Sequence, residues 1–250
     1  KFKDCYIAIN TYDGRRNIQK VNRMFKIVSR MINMMFKPSS NHIQDSNGLY
    51  DEQNYHKWKS LNADSVQGMI AKSESDALLF LSTFQEKRGN IVEIGSWLGK
   101  STIYLAKGCS LTGNGIVYAV DHFKGNLGKE KFYFGDKTSE ETIIEDFKQN
   151  LKNAGVYGYV KPMVMSSEKA TKIIDEDLRA VFIDGDHTYE GVLNDIELWQ
   201  NKVLSGGYLI FHDYSNHFSG SMKAIDEFLN NSDSFKIVLL IDSLLVSKKN

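Results

Sequence analysis

The sequence predicts an α/β fold: a doubly wound, mostly parallel seven-stranded sheet with a C-terminal antiparallel hairpin, plus an N-terminal helical extension. Three observations carry that prediction. From Ile91 onward, short β-branched and aromatic runs alternate with helical patterns, as βαβ units in a parallel sheet covered on both faces require. The last two β runs, 235–240 and 244–247, are joined by Asp242-Ser243. That link is too short for a crossover, so the pair must be a hairpin and one strand antiparallel. Finally, the first strand runs into Gly95-Ser-Trp-Leu-Gly99 and a helix begins near Lys100. The glycines let a backbone come close, and a helix N-terminus offers free N–H groups to a ligand.

The 250 residues are enough for one large domain with an extension, divided here as 1–66 and 67–250. Lys+Arg and Asp+Glu are equal at 31 each, so no global field favours nucleic acid. No apolar run approaches the length of a membrane span, and no signal peptide is visible. Cys5 and Cys109 stand far apart in no metal-type spacing and read as reduced thiols of a cytoplasmic protein. A chain that starts at Lys1 without Met is expected to be trimmed or cut from a longer polypeptide.

In order, Arg15 to Phe36 carries Ile18, Val21, Phe25, Val28, Ile32 and Met35 at helical spacing with basic residues between. An accessory helix that packs on its own domain or on another subunit is favoured over one lying on a membrane. This helix is the expected route to a homo-oligomer. Segment 39–66 reads as a loop or cap with Tyr50, Tyr55 and Trp58 scattered along it. Gln67-Gly-Met-Ile70 reads as a loop, with lining of a cofactor pocket as the alternative. A helix from Ser73, with Ser as N-cap, runs to about Glu86.

The regular alternation then gives strand 91–95, helix 100–107, strand 116–121 and a polar loop 122–137. Helix 138–153 opens with a Thr138-x-x-Glu141 capping box and ends at Gly155. Strand 159–165, helix 167–176, strand 180–184, helix 188–203, strand 208–212 and helix 220–230 precede the hairpin. The loop after Asp121 carries three glycines and four aromatics, as a lid over a cofactor would.

Ligands of open α/β sheets bind beyond the carboxyl ends of the strands. Those ends carry Glu93 and Gly95, Asp121, Ser166, Asp184, and His212 with Asp213. Single surface carboxylates are common, but acids at four of five exits on one edge are hard to explain by packing. Asp121 suits a ribose diol, a role shared by NAD and SAM proteins. Ser166 is equally readable as a helix cap. His187 and Asp186 have the alternative reading of capping the helix that starts at Thr188.

Two stretches carry a resemblance. Glu93-x-Gly95-x-x-x-Gly99-x-Ser101 resembles motif I of the class I S-adenosylmethionine (SAM) methyltransferases. A dinucleotide oxidoreductase would instead want G-x-G-x-x-G and no hairpin. Ala180-Val-Phe-Ile-Asp-Gly-Asp-His-Thr-Tyr-Glu-Gly, followed by Leu204-Ser-Gly-Gly-Tyr-Leu-Ile-Phe-His-Asp-Tyr214, resembles the family of the macrocin and mycinamicin sugar O-methyltransferases and cephalosporin-hydroxylase-like proteins. Catechol O-methyltransferase is a more distant relative. The likeness spans roughly residues 67–247 and leaves the first 60 outside it.

The resemblance implies an O-methyltransferase acting on a small molecule or glycan, with a sugar or polyol hydroxyl as leading acceptor. It implies SAM held by Glu93, Gly95, Ser96, Gly99, Ser101, Asp121, His122, Ser166 and Asp184, and His187 as general base beside Asp184 and His212. It further implies a divalent metal, Mg²⁺ or Mn²⁺, on Asp184 and Asp213. The family has a Glu where this chain has His212. Mg²⁺ prefers oxygen ligands, so His212 points either to another first-row cation with His212 as a third ligand, or to no metal and an acid/base or substrate contact. A phenol or amine acceptor, a non-catalytic SAM-binding subunit and a nucleotide-dependent oxidoreductase are the competing readings.

Overall fold

The computed structural model describes residues 62–124 and 140–250. The predicted N-terminal helix, the residues of the 39–66 cap before Asn62, and most of the 122–137 lid lie outside the described residues, as does Thr138 of the expected capping box.

Seven strands, β1 (Asn90–Ile94), β2 (Val117–Asp121), β3 (Val160–Val164), β4 (Leu178–Ile183), β5 (Val203–Phe211), β6 (Phe235–Ile241) and β7 (Leu244–Lys249), form one sheet in the order β3-β2-β1-β4-β5-β7-β6. The first five are parallel, and β7 runs antiparallel to both β5 and β6. The fold is the one expected. Chain order reverses between β1 and β4, which places the ligand crevice beside the β1 exit.

Six helices cover the sheet among the described residues: α1 (Lys72–Phe84), α2 (Lys100–Thr112), α3 (Glu140–Asn153), α4 (Ser167–Ile173), α5 (Tyr189–Trp199) and α6 (Ser219–Asn231). Alternate strand residues serve opposite faces, as a period of two demands. Ile91, Val117, Ala119, Phe182 and Ile210 join the apolar sides of α1, α2 and α3. Val92, Val120, Val181, Leu209 and Phe211 join those of α4, α5 and α6. Ala63 and Val66, at the end of the N-terminal extension, also pack into the first core.

Several element ends depart from the expected ones: α4 stops at Ile173 and not 176, α5 at Trp199 and not 203, β7 runs to Lys249, and three further departures have a visible cause. Helix α2 passes through Gly108 and stops at Gly113, whose φ of 62 makes it a left-handed C-cap. Gly108 is there for closeness: a Cβ would stand 2.0 Å from Ser82 Oγ of α1. Strand β5 begins at Val203, not 208, because Leu204-Ser-Gly-Gly forms a register shift against β4 instead of a turn. Helix α1 is capped at Ala71, not at Ser73; Glu74 reaches back to accept from the Ala71 N–H at 2.8 Å.

At the end of the sheet remote from the exits sits Arg179, fully buried without a carboxylate. Its guanidinium donates to the carbonyls of Gly89 (2.9 Å), Ser82 (2.9 Å) and Asn114 (3.0 Å), to Gln85 Oε1 (3.3 Å) and to Cys109 Sγ (3.1 Å). It satisfies the carbonyls left over where α1, α2 and the turn into β1 end.

Candidate active site

Parallel register brings the strand exits together. The ladder continues past the strand ends through Gly95 N–Val120 O, Asp184 N–Ile94 O and His212 N–Ile183 O. Gly95, Asp184 and His212 therefore stand side by side. Gly95 has a φ of 85, and a Cβ on it would lie 2.2 Å from the Asp184 carbonyl, so only glycine fits between the two exits. Beyond them opens a cleft of about 950 Å³, of the size that holds a cofactor with its substrate.

The glycine turn is held from two sides. From below, Glu93 is fully buried; Oε2 accepts from Ser96 Oγ at 2.8 Å and from Thr102 Oγ1. Burial raises its carboxyl to about 7, and the hydroxyls of Ser101, Thr102 and Ser96 offset that only in part. Glu93 thus braces the turn from beneath, without lining the cleft. Because the folded state holds this proton more tightly than the unfolded one, stability falls as pH rises from about 4.5 to 7, by roughly 3 kcal/mol. Glu93→Gln is expected to flatten that decline, read as the pH dependence of urea unfolding for variant against wild type.

From above, Asp121 accepts backbone N–H groups of Ser96 (2.9 Å) and Trp97 (2.8 Å) on Oδ2 and of Phe123 (2.7 Å) on Oδ1. A carboxylate has about four acceptor positions, so it has capacity for about one further donor, such as one ribose hydroxyl. His122 beside it is half exposed at the rim, its Nδ1 accepting from Lys124 N at 2.9 Å. Ser96 and Ser101 line the cleft floor at the start of α2, where Gly99 (φ 88) is the N-cap. Ser166 both caps α4, accepting weakly from Lys169 N at 3.4 Å, and lines the cleft.

Asp184, His187, His212 and Asp213 form one connected cluster. His212 Nδ1 is 3.0 Å from Asp184 Oδ1 and 3.3 Å from Asp213 Oδ1; His187 Nε2 is 2.9 Å from Asp213 Oδ2. Asp213 follows β5 with a φ of 56, a left-handed turn that aims its carboxylate at both imidazoles. Burial raises the Asp184 carboxyl against the opposing pull of His212. For Asp213 the hydrogen bonds and charges of His187 and His212 outweigh burial and hold it well below the usual carboxylate range. Burial would lower the His212 pKa, but Asp184, Asp213 and Glu74 together lift it far above the ordinary histidine value. The Phe218 ring lies 4.8 Å from that of His187. Thr188, not His187, caps α5, accepting from Gly191 N at 3.1 Å, while Asp186 Oδ1 accepts from Thr188 N at 2.8 Å.

Sequence reasoning gave no site role to Glu74 or Asp195, and gave Gln67–Ile70 one only as an alternative. Glu74 faces His212 Nε2 at 3.2 Å. Ser167 accepts from Trp199 Nε1 at 2.8 Å and bonds Asp195, which burial raises to about 6, on the α5 wall of the cleft. Gln67–Ile70 lines the mouth, so the pocket-lining alternative for that stretch is the one the structure adopts. Only the loop position of Gln67–Ile70 was signalled locally.

Residues 92–214, from β1 to just past β5, match the profile of a methyltransferase domain. That segment carries a methyltransferase domain. Similar solved structures share its fold: an O-methyltransferase from Bacillus cereus in complex with SAH (17% identity, TM-score 0.56, 91% of this chain and 99% of that one); the O-methyltransferase TomG from Streptomyces achromogenes, involved in tomaymycin synthesis, in complex with SAM (14%, 0.57, 92% and 99%); and an rRNA methylase from Streptococcus thermophilus (18%, 0.50, 73% and 99%). Two of these are O-methyltransferases and the third is an rRNA methylase, so the methyltransferase fold leaves the acceptor open. A curated relative, uncharacterized protein R132 of Acanthamoeba polyphaga mimivirus, is 49% identical over 37 residues, which are 15% of this chain and 17% of that protein. The chain thus spans a small part of that relative. No helix among the described residues is long and apolar enough to cross a membrane.

Proposed function

We propose that the protein is an O-methyltransferase of the macrolide-sugar type, moving the methyl group of SAM to a hydroxyl of a small molecule or glycan, with a sugar or polyol as leading acceptor. The observation that carries this reading is the His187–Asp213 pair at 2.9 Å on the wall of the cofactor cleft. A hydroxyl is a poor nucleophile until it loses its proton, and an oriented imidazole within reach is the usual acceptor. With Nε2–H donated to Asp213, the ring keeps one tautomer and Nδ1 is its basic nitrogen.

SAM, when bound, supplies an electrophilic methyl on a sulfonium. The chain's own part is alignment: Gly95, Ser96 and Ser101 form the floor, Asp121 and His122 the ribose side, Ser166 the adenine side, and Asp184 the side toward the acceptor, while Gly99 lies outside the cleft lining and acts by starting α2. Glu93 acts through the turn it braces.

Asp184, His212 and Asp213 also fit a divalent cation. Each offers a ligand atom, and the three atoms lie within 4.8 Å of one another. The His212–Asp184 and His212–Asp213 separations match the spacing of about 3 Å between neighbouring donors around an octahedral ion with bonds near 2.1 Å. A cation held by Asp184, His212 and Asp213 would supply charge for a developing alkoxide and a template for vicinal hydroxyls. Cys109 is a free thiol, which supports a cytoplasmic setting. We retain the division at residues 66 and 67 and homo-oligomerisation through the N-terminal helix; deleting residues 1–38 is expected to lower the particle mass in solution.

Calorimetric titration with SAH tests the reading first: micromolar binding in wild type and none in Asp121→Ala, which loses both the turn clamp and the ribose acceptor. A methyl-transfer screen follows. Product with sugars supports the proposal. Product with catechols or amines alone moves the acceptor class, and SAH binding without turnover on any acceptor identifies a SAM-binding subunit. NADH binding in place of SAH would restore the oxidoreductase.

A further inference from the structure

The His212 ring is closed on its other side by Glu74, 138 positions away in the chain. Glu74 belongs to α1 and to no strand exit, yet its side chain is 3% exposed. One oxygen, Oε2, takes the Ala71 N–H at 2.8 Å and faces His212 Nε2 at 3.2 Å. The other, Oε1, takes both the Ser243 N–H and its hydroxyl, each at 2.8 Å. A glutamate that only caps a helix stays at the surface, where water completes its shell. This one is carried inside and fully solvated by protein donors.

The hairpin turn that supplies Ser243 is itself tied to the site, since Ser243 O accepts from Tyr214 N at 2.9 Å, next to Asp213. Glu74 therefore joins α1, the β6–β7 turn and the β5 exit around one imidazole. Three carboxylates around a single imidazole leave a net negative charge whichever protonation state the ring adopts.

We propose that Glu74 is the positioning carboxylate of the metal centre: by accepting Nε2–H it turns the Nδ1 lone pair of His212 between Asp184 and Asp213, making a one-nitrogen, two-oxygen site that selects Mn²⁺ over Mg²⁺. The inference rests on the reading above that the cluster holds a divalent cation. Ligating histidines as a rule donate their second N–H to a carboxylate, which fixes the tautomer and strengthens the ligand. An imidazole donor favours first-row transition ions, whereas Mg²⁺ takes oxygen and keeps its waters.

The test uses the full chain stripped with a chelator, titrated with Mn²⁺ or Mg²⁺ alone by calorimetry and examined as the Mn²⁺ form by pulsed EPR. Wild type, Glu74→Gln, Glu74→Ala and Asp184→Asn are compared, with SAH binding as the check that wild type and the Glu74 variants are folded, and a thermal unfolding transition as that check for Asp184→Asn. Wild type is expected to bind one Mn²⁺ with histidine nitrogen modulation and Mg²⁺ at least about tenfold more weakly. Glu74→Ala should weaken Mn²⁺ by about 10–100-fold. Glu74→Gln, which keeps an acceptor for Nε2–H, should lose less, and Asp184→Asn should abolish binding. Equal Mn²⁺ affinity in wild type and both Glu74 variants would reduce Glu74 to a helix cap and overturn the inference. Mn²⁺ bound without nitrogen modulation would overturn it through His212. If SAH binds but Mn²⁺ does not, the metal reading falls and takes this inference with it. Loss of SAH binding in wild type is the separate failure of the methyltransferase reading.

Discussion

Replacing His187 by alanine is expected to lower the rate of methyl transfer by about 10²–10⁴-fold, the usual worth of a positioned general base. The reason is local. His187 is the imidazole that Asp213 orients at 2.9 Å on the cleft wall, backed by Phe218. Truncation leaves the glycine turn, Asp121 and Ser166 in place, so SAH should still bind. Single-turnover transfer from labelled SAM reads the chemical step without product release. In wild type that rate should rise with pH and level off once the base is deprotonated. In His187→Ala it should keep rising with hydroxide and show no plateau. A variant that turns over at the wild-type rate with the wild-type profile would mean that the proton leaves by another route.

The largest stability effect is expected at Arg179, far from the cleft. Its donors satisfy three backbone carbonyls and Gln85 at the buried ends of α1, α2 and the turn into β1. Arg179→Met would fill much of the volume but leave those acceptors buried and unpaired, at a cost of about 3–5 kcal/mol. For a domain of this size that lowers the melting midpoint by roughly 10 °C. Arg179→Lys should not rescue it, because one ammonium cannot reach acceptors arrayed around a planar fork. Urea and thermal unfolding of the three proteins check both statements. A loss under about 1 kcal/mol in Arg179→Met would show that water or local shifts satisfy those carbonyls.

The two residues also mark where the sequence was legible. His187 could be picked out because Asp184-Gly-Asp-His187 follows an apolar strand at the ligand edge of a parallel sheet. Arg179 gave no such signal: it precedes Ala-Val-Phe-Ile as any charged residue flanks a strand, and five partners from four other segments make it a keystone. Glu74 sits in Ser-Glu-Ser-Asp, an ordinary first turn, and its partner His212 lies 138 residues further along the chain. The misplaced ends have the same origin. Gly108 and Ser205-Gly-Gly207 look like breakers until α1 is seen pressed against the first, and β4 paired across the second.

Local chemistry by itself determined the architecture and the list of strand-exit residues, because periodicity and glycine placement act within a few positions of the chain and survive in any packing. Only the tertiary structure decided what those residues do to one another. It set Glu93 beneath the turn as a brace, engaged Asp121 with backbone N–H groups, and closed Glu74, His212, Asp184, Asp213 and His187 into one charged network. Those roles depend on ångström distances between segments up to 169 residues apart, and they exist only once the parallel register has brought the exits side by side.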